Sequence, residues 1–396
     1  MHIHTLDEFD ARGKRILLRA DLNVPLKNGK LMDRARLERL KPSILELSQK
    51  GARIIICSHL GRPKGRPVPE LSLQPVAEAL GEVIGQKVRF VTTCVGPAAE
   101  DAARSLADGD VLVLENTRFD PREETNDPAM AEALARLADI YVDDAFSTAH
   151  RAHASIEGVA RRLPAYAGRL MQAELTVLET VLNRPKHPLA AIIGGAKVST
   201  KLALLGNLIR HVDVLVLGGA MANTFLAARG FAIGRSLQEP DMQATAREIL
   251  AEAERENCEV LLPKDLVVAD RLAAEAAIRI ASLDAVPDDA MILDLGPATV
   301  EMVVARISAW RTLVWNGPLG AFETPPFDKA TSALARAVAN ATQKGHLVSV
   351  AGGGETIAAL RHAGATEGFT YVSTAGGAFL EWLEGRTLPG IAVLDR

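Results

Sequence analysis

Short runs of β-branched and aliphatic residues alternate along this chain with longer stretches of helical period, and the alternation restarts in the second half. The first series comprises Arg15–Leu18, Arg53–Cys57, Val88–Val91, Val111–Leu114 and Ile140–Val142. Between the first two runs, Leu37, Leu40, Ile44, Leu45 and Leu47 follow a helical period over Asp33–Gln49, with Arg34, Arg36, Glu38 and Arg39 at polar positions. Strands separated by helices of this length make a parallel sheet, because a parallel neighbour requires a crossover connection. The same grammar resumes at Leu189–Ile193 and runs through Val212–Leu217, Val260–Leu262, Met291–Leu295, Thr312–Trp315, Leu347–Val350 and Tyr371–Val372. The predicted fold class is α/β, with two domains that each carry a parallel sheet flanked by helices.

A chain of 396 residues exceeds the size at which one core stops growing, ~250–300 residues, which agrees with two domains. Leu170, Ala173, Val177, Leu178 and Val181 mark a connector helix over Tyr166–Leu182, and Pro185 and Pro188 close it off before the next strand. The expected domains are 1–168 and 169–386, the second including the connector. No long Gly/Ser linker separates them, so the domains are expected to touch. Hydrophobic content of 48%, charged content of 24% and net charge −4 describe an ordinary globular chain and argue against nucleic acid as the main partner. The opening MHIHTLDEFDARGKR carries acids and no apolar region, unlike a secretory signal, and the glycine-interrupted stretch Val214–Ala228 is too short to span a membrane. Cys57, Cys94 and Cys258 are an odd set without metal-like spacing, expected to be buried thiols in a reducing compartment. A cytoplasmic location is the resulting expectation.

The residues that succeed the strand-like runs differ between the halves. In the first half the runs open into RADLNVP (Arg19–Pro25), SHLGRPKG (Ser58–Gly65), LENTRF (Leu114–Phe119) and DDAFSTAHRAHAS (Asp143–Ser155). Ligands in open α/β sheets bind beyond the carboxyl ends of the strands. Arg36, His59, Arg62, Arg118 and Arg151, with Asp21 and Asn23 nearby, are therefore candidates for a small-anion site. Arginine suits phosphate and carboxylate because its planar fork makes paired, charge-assisted bonds. Taken singly, each arginine is as readily a surface partner of an acid, and His59 or His150 a structural hydrogen-bonding residue. The grouping at strand ends favours a pocket.

In the second half the runs open into GGAKVSTK (Gly194–Lys201), LGGAMANTF (Leu217–Phe225), WNGPLGAFE (Trp315–Glu323) and AGGGETI (Ala351–Ile357). Glycines at a strand-to-helix turn let a phosphate approach the backbone N–H groups at a helix start. Lys197 and Lys201 are four apart and are expected on one face of that helix's first turn, where the dipole disfavours cations unless an anion is near. Glu355 comes after three glycines and either favours the helix dipole or helps hold Mg²⁺ on nucleotide phosphates. Glu323 is either a solvated loop acid or an acceptor for ribose hydroxyls. Neither a Walker A motif nor G-x-G-x-x-G is present, which weakens the alternative of a nicotinamide dehydrogenase. STAGGAFLEWLEG (Ser373–Gly385) adds another glycine turn and an amphipathic helix.

Taken in order, RADLNVP, SHLGRPKG, LENTRF, DDAFSTAHRAHAS, GGAKVSTK, WNGPLGAFE and GGGET closely resemble the phosphoglycerate kinase family over essentially the whole chain. The resemblance implies two Rossmann-like domains joined by a connector helix and hinge, in a monomer whose domains close over the substrates. It also implies reversible phosphoryl transfer from 1,3-bisphosphoglycerate to ADP, giving 3-phosphoglycerate and Mg-ATP, a step of glycolysis. Asp21, Asn23, Arg36, His59, Leu60, Gly61, Arg62, Arg118 and Arg151 match the family's phosphoglycerate site. Lys201, Glu323, Gly353, Gly354, Glu355 and Thr356 match its nucleotide site, and Arg36 and Lys197 match residues flanking the transferring group. The last residues, about 387–396, are implied to return to the first domain. Glu355 stands where the family usually has Asp, Ala375 interrupts a usual glycine triplet, and Ala20, Ser147, Leu319 and Ala321 are milder departures. A non-catalytic anion-binding protein of the same fold is the alternative, yet it would be expected to have lost part of a charged set that is complete here.

Overall fold

The computed structural model describes residues 3–27 and 29–395; positions 1, 2, 28 and 396, which fall in the expected first domain and tail, lie outside them. The chain divides into two compact units, Met1–Thr176 with Thr387–Arg396, and Val177–Arg386. The division falls inside the connector helix rather than at its start, because the first turns of that helix are held by first-unit side chains.

The first unit is built on a six-stranded parallel sheet of β1 (Arg15–Arg19), β2 (Arg53–Cys57), β3 (Val88–Val91), β4 (Val111–Leu114), β5 (Ile140–Asp143) and β6 (Ala165–Ala167), in spatial order β3-β4-β2-β1-β5-β6. The central strands are buried on both faces, which is why they read as unbroken apolar runs. Ile16, Leu18, Ile54, Ile56, Val111 and Val142 pack with Leu37, Leu40, Ile44 and Leu47 from α1 (Ala35–Gln49) in one core. The order reverses at β1, whose neighbours are β2 on one side and β5 on the other, making a switch point at the strands' carboxyl ends. Ile3 bridges to Asp395 and Gly390 N donates to Ala149 O at 2.8 Å, so the carboxyl-terminal segment packs in this unit.

The connector pattern Tyr166–Leu182 resolves into strand and helix: Tyr166 belongs to β6, and α2 begins at Arg169 and runs to Leu178 before a widened turn over Glu179–Asn183. Asp144 explains the start. Its Oδ1 accepts from Leu170 N at 2.8 Å and Met171 N at 3.0 Å, satisfying two free N–H groups of the first turn. Arg169 is clamped by Asp7 and Glu46, and its N–H donates to Ser43 Oγ at 3.0 Å.

The second unit carries β7 (Leu189–Ile193), β8 (Val214–Leu217), β9 (Glu259–Leu261), β10 (Asp265–Ala269), β11 (Arg279–Ser282), β12 (Met291–Leu295), β13 (Thr312–Asn316), β14 (Val348–Gly352) and β15 (Tyr371–Ser373). Six of these form a parallel sheet in the order β9-β8-β7-β13-β14-β15, with its own switch point between β7 and β13. Met291–Leu295 departs from the expected parallel arrangement. It pairs antiparallel with β10 in a separate three-stranded sheet that also contains β11. Among the described residues no helix is long and apolar enough to cross a membrane.

Candidate functional site

In the first unit the loops after β1, β2, β4 and β5 deliver the expected residues to one place. Asp21, just beyond β1, accepts from Arg36 Nη1 at the start of α1 and from Ser147 Oγ beyond β5. Asn23 Oδ1 accepts from Gly61 N at 2.9 Å, and Gly61 O accepts from Arg118 Nη1 at 2.8 Å. His59, Leu60 and Arg118 are buried, Arg36, Gly61 and Arg151 are half-buried, and Arg62 is exposed. Asn116 holds the β2 loop, taking Leu60 N at 3.2 Å on Oδ1 and donating from Nδ2 to Leu60 O at 2.7 Å.

Cationic side chains dominate the electrostatics of this cluster. Burial, then the charges of Arg19, Arg118, Arg151 and Arg36, hold His59 well below the ordinary imidazole range, so it is neutral among guanidinium groups. Burial and Arg151 bring Arg118 down to about 10. Burial, Arg19 and Arg62 also lower Arg151. Arg151 Nη1 is buried with no hydrogen-bond partner among the described residues, and burial, with Arg151, lowers His150 while a backbone hydrogen bond to Ser147 opposes that shift. Arg118 Nε sits 3.1 Å from Glu124 Oε1 but outside hydrogen-bond geometry.

Arg19 is part of the pocket's foundation and was not among the sequence candidates. It is 1% exposed, donates from Nε to Ser155 Oγ at 3.0 Å and lies 3.4 Å from His59 Nδ1. Ser155 Oγ in turn donates to Glu123, a fully buried carboxylate that also accepts from Ser155 N at 2.9 Å and Thr117 Oγ1 at 3.3 Å. Burial pushes Glu123 up, and Arg19 opposes that shift.

In the second unit Lys201, Asn316 and the Gly352–Thr356 turn meet. Lys201 Nζ donates to Asn316 Oδ1, Asn316 Nδ2 donates to Gly352 O at 2.7 Å, and Thr356 Oγ1 bridges Gly317 N at 2.7 Å and Gly352 O at 2.8 Å. Burial lowers Lys201, opposed by the nearby charges of Glu355 and Glu384. Gly353, with φ +102°, takes a conformation that side chains rarely adopt and opens the helix Gly354–His362, whose first turn has no side-chain cap among the described residues. Backbones approach too closely for side chains elsewhere in the cradle, since a Cβ on Gly194 would lie 1.9 Å from Pro318 O.

The two lysines do not share a helical turn as expected. The helix α3 (Leu202–Ile209) has Lys201 at its N-cap, and Lys197 stands exposed in the preceding loop. Glu239 explains this, because it takes Ser199 N at 3.0 Å and Ser199 Oγ and pins the segment in a non-helical form. Beside the cradle lies a cavity of about 350 Å³ whose lining includes Gly195, Gly219, Leu319, Glu323 and Glu355. Burial raises Asp294, also in its wall, to about 7. The exposed carboxylates Glu323 and Glu355 complete the set. No cluster of three or more His, Cys, Asp or Glu placed to hold a metal occurs among the described residues.

The chain matches the family model described as Phosphoglycerate kinase over residues 6–386. It is 59% identical over 394 residues to the phosphoglycerate kinase of Granulibacter bethesdensis, covering 100% of both chains. To that of Agrobacterium fabrum it is 57% identical over 391 residues, 98% of each. The fold is similar to the solved phosphoglycerate kinase from Coxiella burnetii, with TM-score 0.94 at 42% identity and 99% of each chain covered. The enzyme from Pyrococcus horikoshii OT3 superposes with TM-score 0.81 at 31% identity, over 99% of this chain and 98% of that one. With two such sites on one chain and similarity to these proteins along its whole length, the chain belongs to the phosphoglycerate kinase family and is a phosphotransferase acting on a carboxyl acceptor.

Proposed function

We propose that the arginine pocket of the first unit holds the phosphoglycerate and that the glycine cradle of the second holds the nucleotide of the phosphoglycerate kinase reaction. The observation that carries this division is the buried Arg151 Nη1, left without a protein acceptor among the described residues in a site where guanidinium groups depress one another. Buried donors are ordinarily satisfied, and an anionic ligand supplies acceptors for these. Asp21, Asn23, His59 and Arg62 complete the pocket: Asp21 orients Arg36, Asn23 holds the Gly61 turn, and neutral His59 adds a hydrogen bond without adding charge.

In the forward direction a terminal oxygen of the ADP β-phosphate attacks the acyl phosphate. The new P–O bond forms as the bond from phosphorus to the carboxyl oxygen breaks, and the leaving group departs as the carboxylate of 3-phosphoglycerate. Such transfer requires mainly positioning and neutralisation of charge on the moving oxygens. Arg36 and Lys197 are assigned that neutralisation, Lys201 and the N–H groups of Gly353, Gly354 and Thr356 the nucleotide phosphates, and Glu323 the ribose.

Mg²⁺ fits this site. It is commonly held by one or two carboxylates with substrate phosphates supplying further oxygens, and Glu355 is an exposed carboxylate beside Lys201 at a helix start. Bound there, the ion would offset phosphate charge. Three buried free thiols support a cytoplasmic location, and the family resemblance supports a monomer.

Isothermal titration with 3-phosphoglycerate and with Mg-ADP tests the division of labour. Arg151→Ala should weaken 3-phosphoglycerate at least tenfold and leave Mg-ADP unchanged, while Lys201→Ala should do the reverse. Equal losses for both ligands in both variants would overturn it.

A further inference from the structure

Among the arginines of the first unit lies a fully buried acid, Glu123, whose charge opposes the binding of an anion there. Three donors converge on its carboxylate: Ser155 N on Oε2 at 2.9 Å, and Ser155 Oγ together with Thr117 Oγ1, the latter at 3.3 Å, on Oε1. Arg19 Nε can only donate to Ser155 Oγ, so the serine hydrogen is turned toward Glu123. The main-chain oxygen of Glu123 accepts from Ala154 N at 3.0 Å, and the residue thereby holds two successive positions of the segment beyond β5. Thr117 precedes Arg118 beyond β4, Arg151 stands four residues before Ser155, and Arg19 ends β1 and lies 3.4 Å from His59 Nδ1. One side chain therefore ties together three of the strand ends that deliver cations to the pocket.

Charge alone argues against such a placement. Burying a carboxylate is costly, and its field repels a phosphorylated ligand bound nearby. What it supplies is geometry, because Arg19, Arg118 and Arg151 feel one another's charge and would spread apart without a tether. We propose that Glu123 is a positioning residue for phosphoglycerate binding, its carboxylate fixing Arg19 and the segments of Arg118 and Arg151 in the arrangement that receives the anion. This rests on the reading of the first unit as the phosphoglycerate site. Glutamine keeps the length of the side chain and removes its charge. All three contacts are donors, so whichever way the amide turns its NH2 group faces one of them and the tether loosens. Charge and geometry then act in opposite directions: losing the negative charge alone tightens anion binding, whereas losing the tether weakens it.

Isothermal titration of Glu123→Gln with 3-phosphoglycerate and with Mg-ADP reads that sign. 3-Phosphoglycerate should bind about tenfold more weakly, the size of one well-made hydrogen bond, with Mg-ADP unchanged and thermal melting showing that the variant is folded at the titration temperature. Tighter or unchanged 3-phosphoglycerate binding overturns the proposal, and so does equal weakening of both ligands, which marks a general loss of structure. If the variant does not fold, exchange of the Arg19 Nε–H with solvent, followed by NMR in the unaltered protein, decides. A proton protected before ligand is added supports a prearranged pocket, and one protected only after 3-phosphoglycerate binds overturns it. Arg151→Ala separates the two readings: if it leaves 3-phosphoglycerate binding intact, the pocket itself is misplaced, whereas a weakened Arg151→Ala beside a normal Glu123→Gln refutes only the role of Glu123.

Discussion

Ser155→Ala should destabilise the first unit far more than the loss of one oxygen implies. The hydroxyl stands between two buried ionic groups, accepting from Arg19 Nε at 3.0 Å and donating to Glu123 Oε1. Without it Arg19 Nε has no acceptor, and Glu123 Oε1 keeps only the 3.3 Å bond from Thr117. A hydrogen bond to a charged group contributes about 1.5–3 kcal/mol, so two of them amount to roughly 3–6 kcal/mol. Too little volume is removed for water to enter and compensate. All three tryptophans, Trp310, Trp315 and Trp382, lie in the second unit, so their fluorescence is a poor reporter. Amide hydrogen exchange at Leu17 and Leu18 of β1 reads the first unit directly. The lower limit, ~3 kcal/mol, corresponds to about a hundredfold faster exchange. A change below ~1 kcal/mol would refute the view that this hydroxyl couples the pair. The cycle with Glu123→Gln should show strong non-additivity, since both changes act on one network.

Arg36→Ala and Lys197→Ala should each lower kcat by ~10²–10³ with the fold intact, as expected for preorganised charge acting on the transferring group, and near-normal kcat in either would remove that residue from the chemistry. Glu355→Gln should raise the Mg²⁺ concentration needed for half-maximal activity, and an unchanged titration would leave Glu355 only its favourable position at a helix start. Burial raises Asp143 to about 7 and Asp144 to about 6, so each takes up a proton more readily folded than unfolded. Their contribution to stability is complete below the unfolded value near 3.8 and is gone once pH has risen past the folded values, so melting temperature should fall between about pH 4 and 7. Asp143→Asn should flatten that decline, and an identical slope in the variant would exclude Asp143 as its source.

The parallel strands were legible because strands buried on both faces read as continuous apolar runs; Arg53–Cys57, Val111–Leu114 and Leu189–Ile193 stand where their sequences put them. The strand Arg279–Ser282 was not legible, since only Ala281 of its residues is buried and it lies at a sheet edge. Met291–Leu295 reads as a strand in isolation, yet nothing local reveals whether its neighbour runs with it or against it. The arginine and glycine motifs were visible as compositions at strand ends. Asn316, beside glycine and proline, looks in sequence like a turn residue, and its partner Lys201 is 115 positions away. Arg19 was hidden for the related reason that its partner Ser155 is 136 positions distant. The expected lysine face failed because Glu239, 40 residues beyond Ser199, overrides local helical preference.

The two sites differ in how they can change over generations. An arginine can be exchanged for lysine or glutamine in steps that surrender charge, hydrogen bonds and reach by degrees, so the first pocket can drift through intermediates of reduced affinity. The cradle has no such ladder. Glycine to alanine is the smallest change available, and at Gly194 or Gly317 it already drives a methyl group to within 1.9 or 2.2 Å of a backbone carbonyl oxygen of the opposing loop. Variation that survives on the nucleotide side is therefore confined to wall positions that carry side chains, such as Leu237 and Leu272.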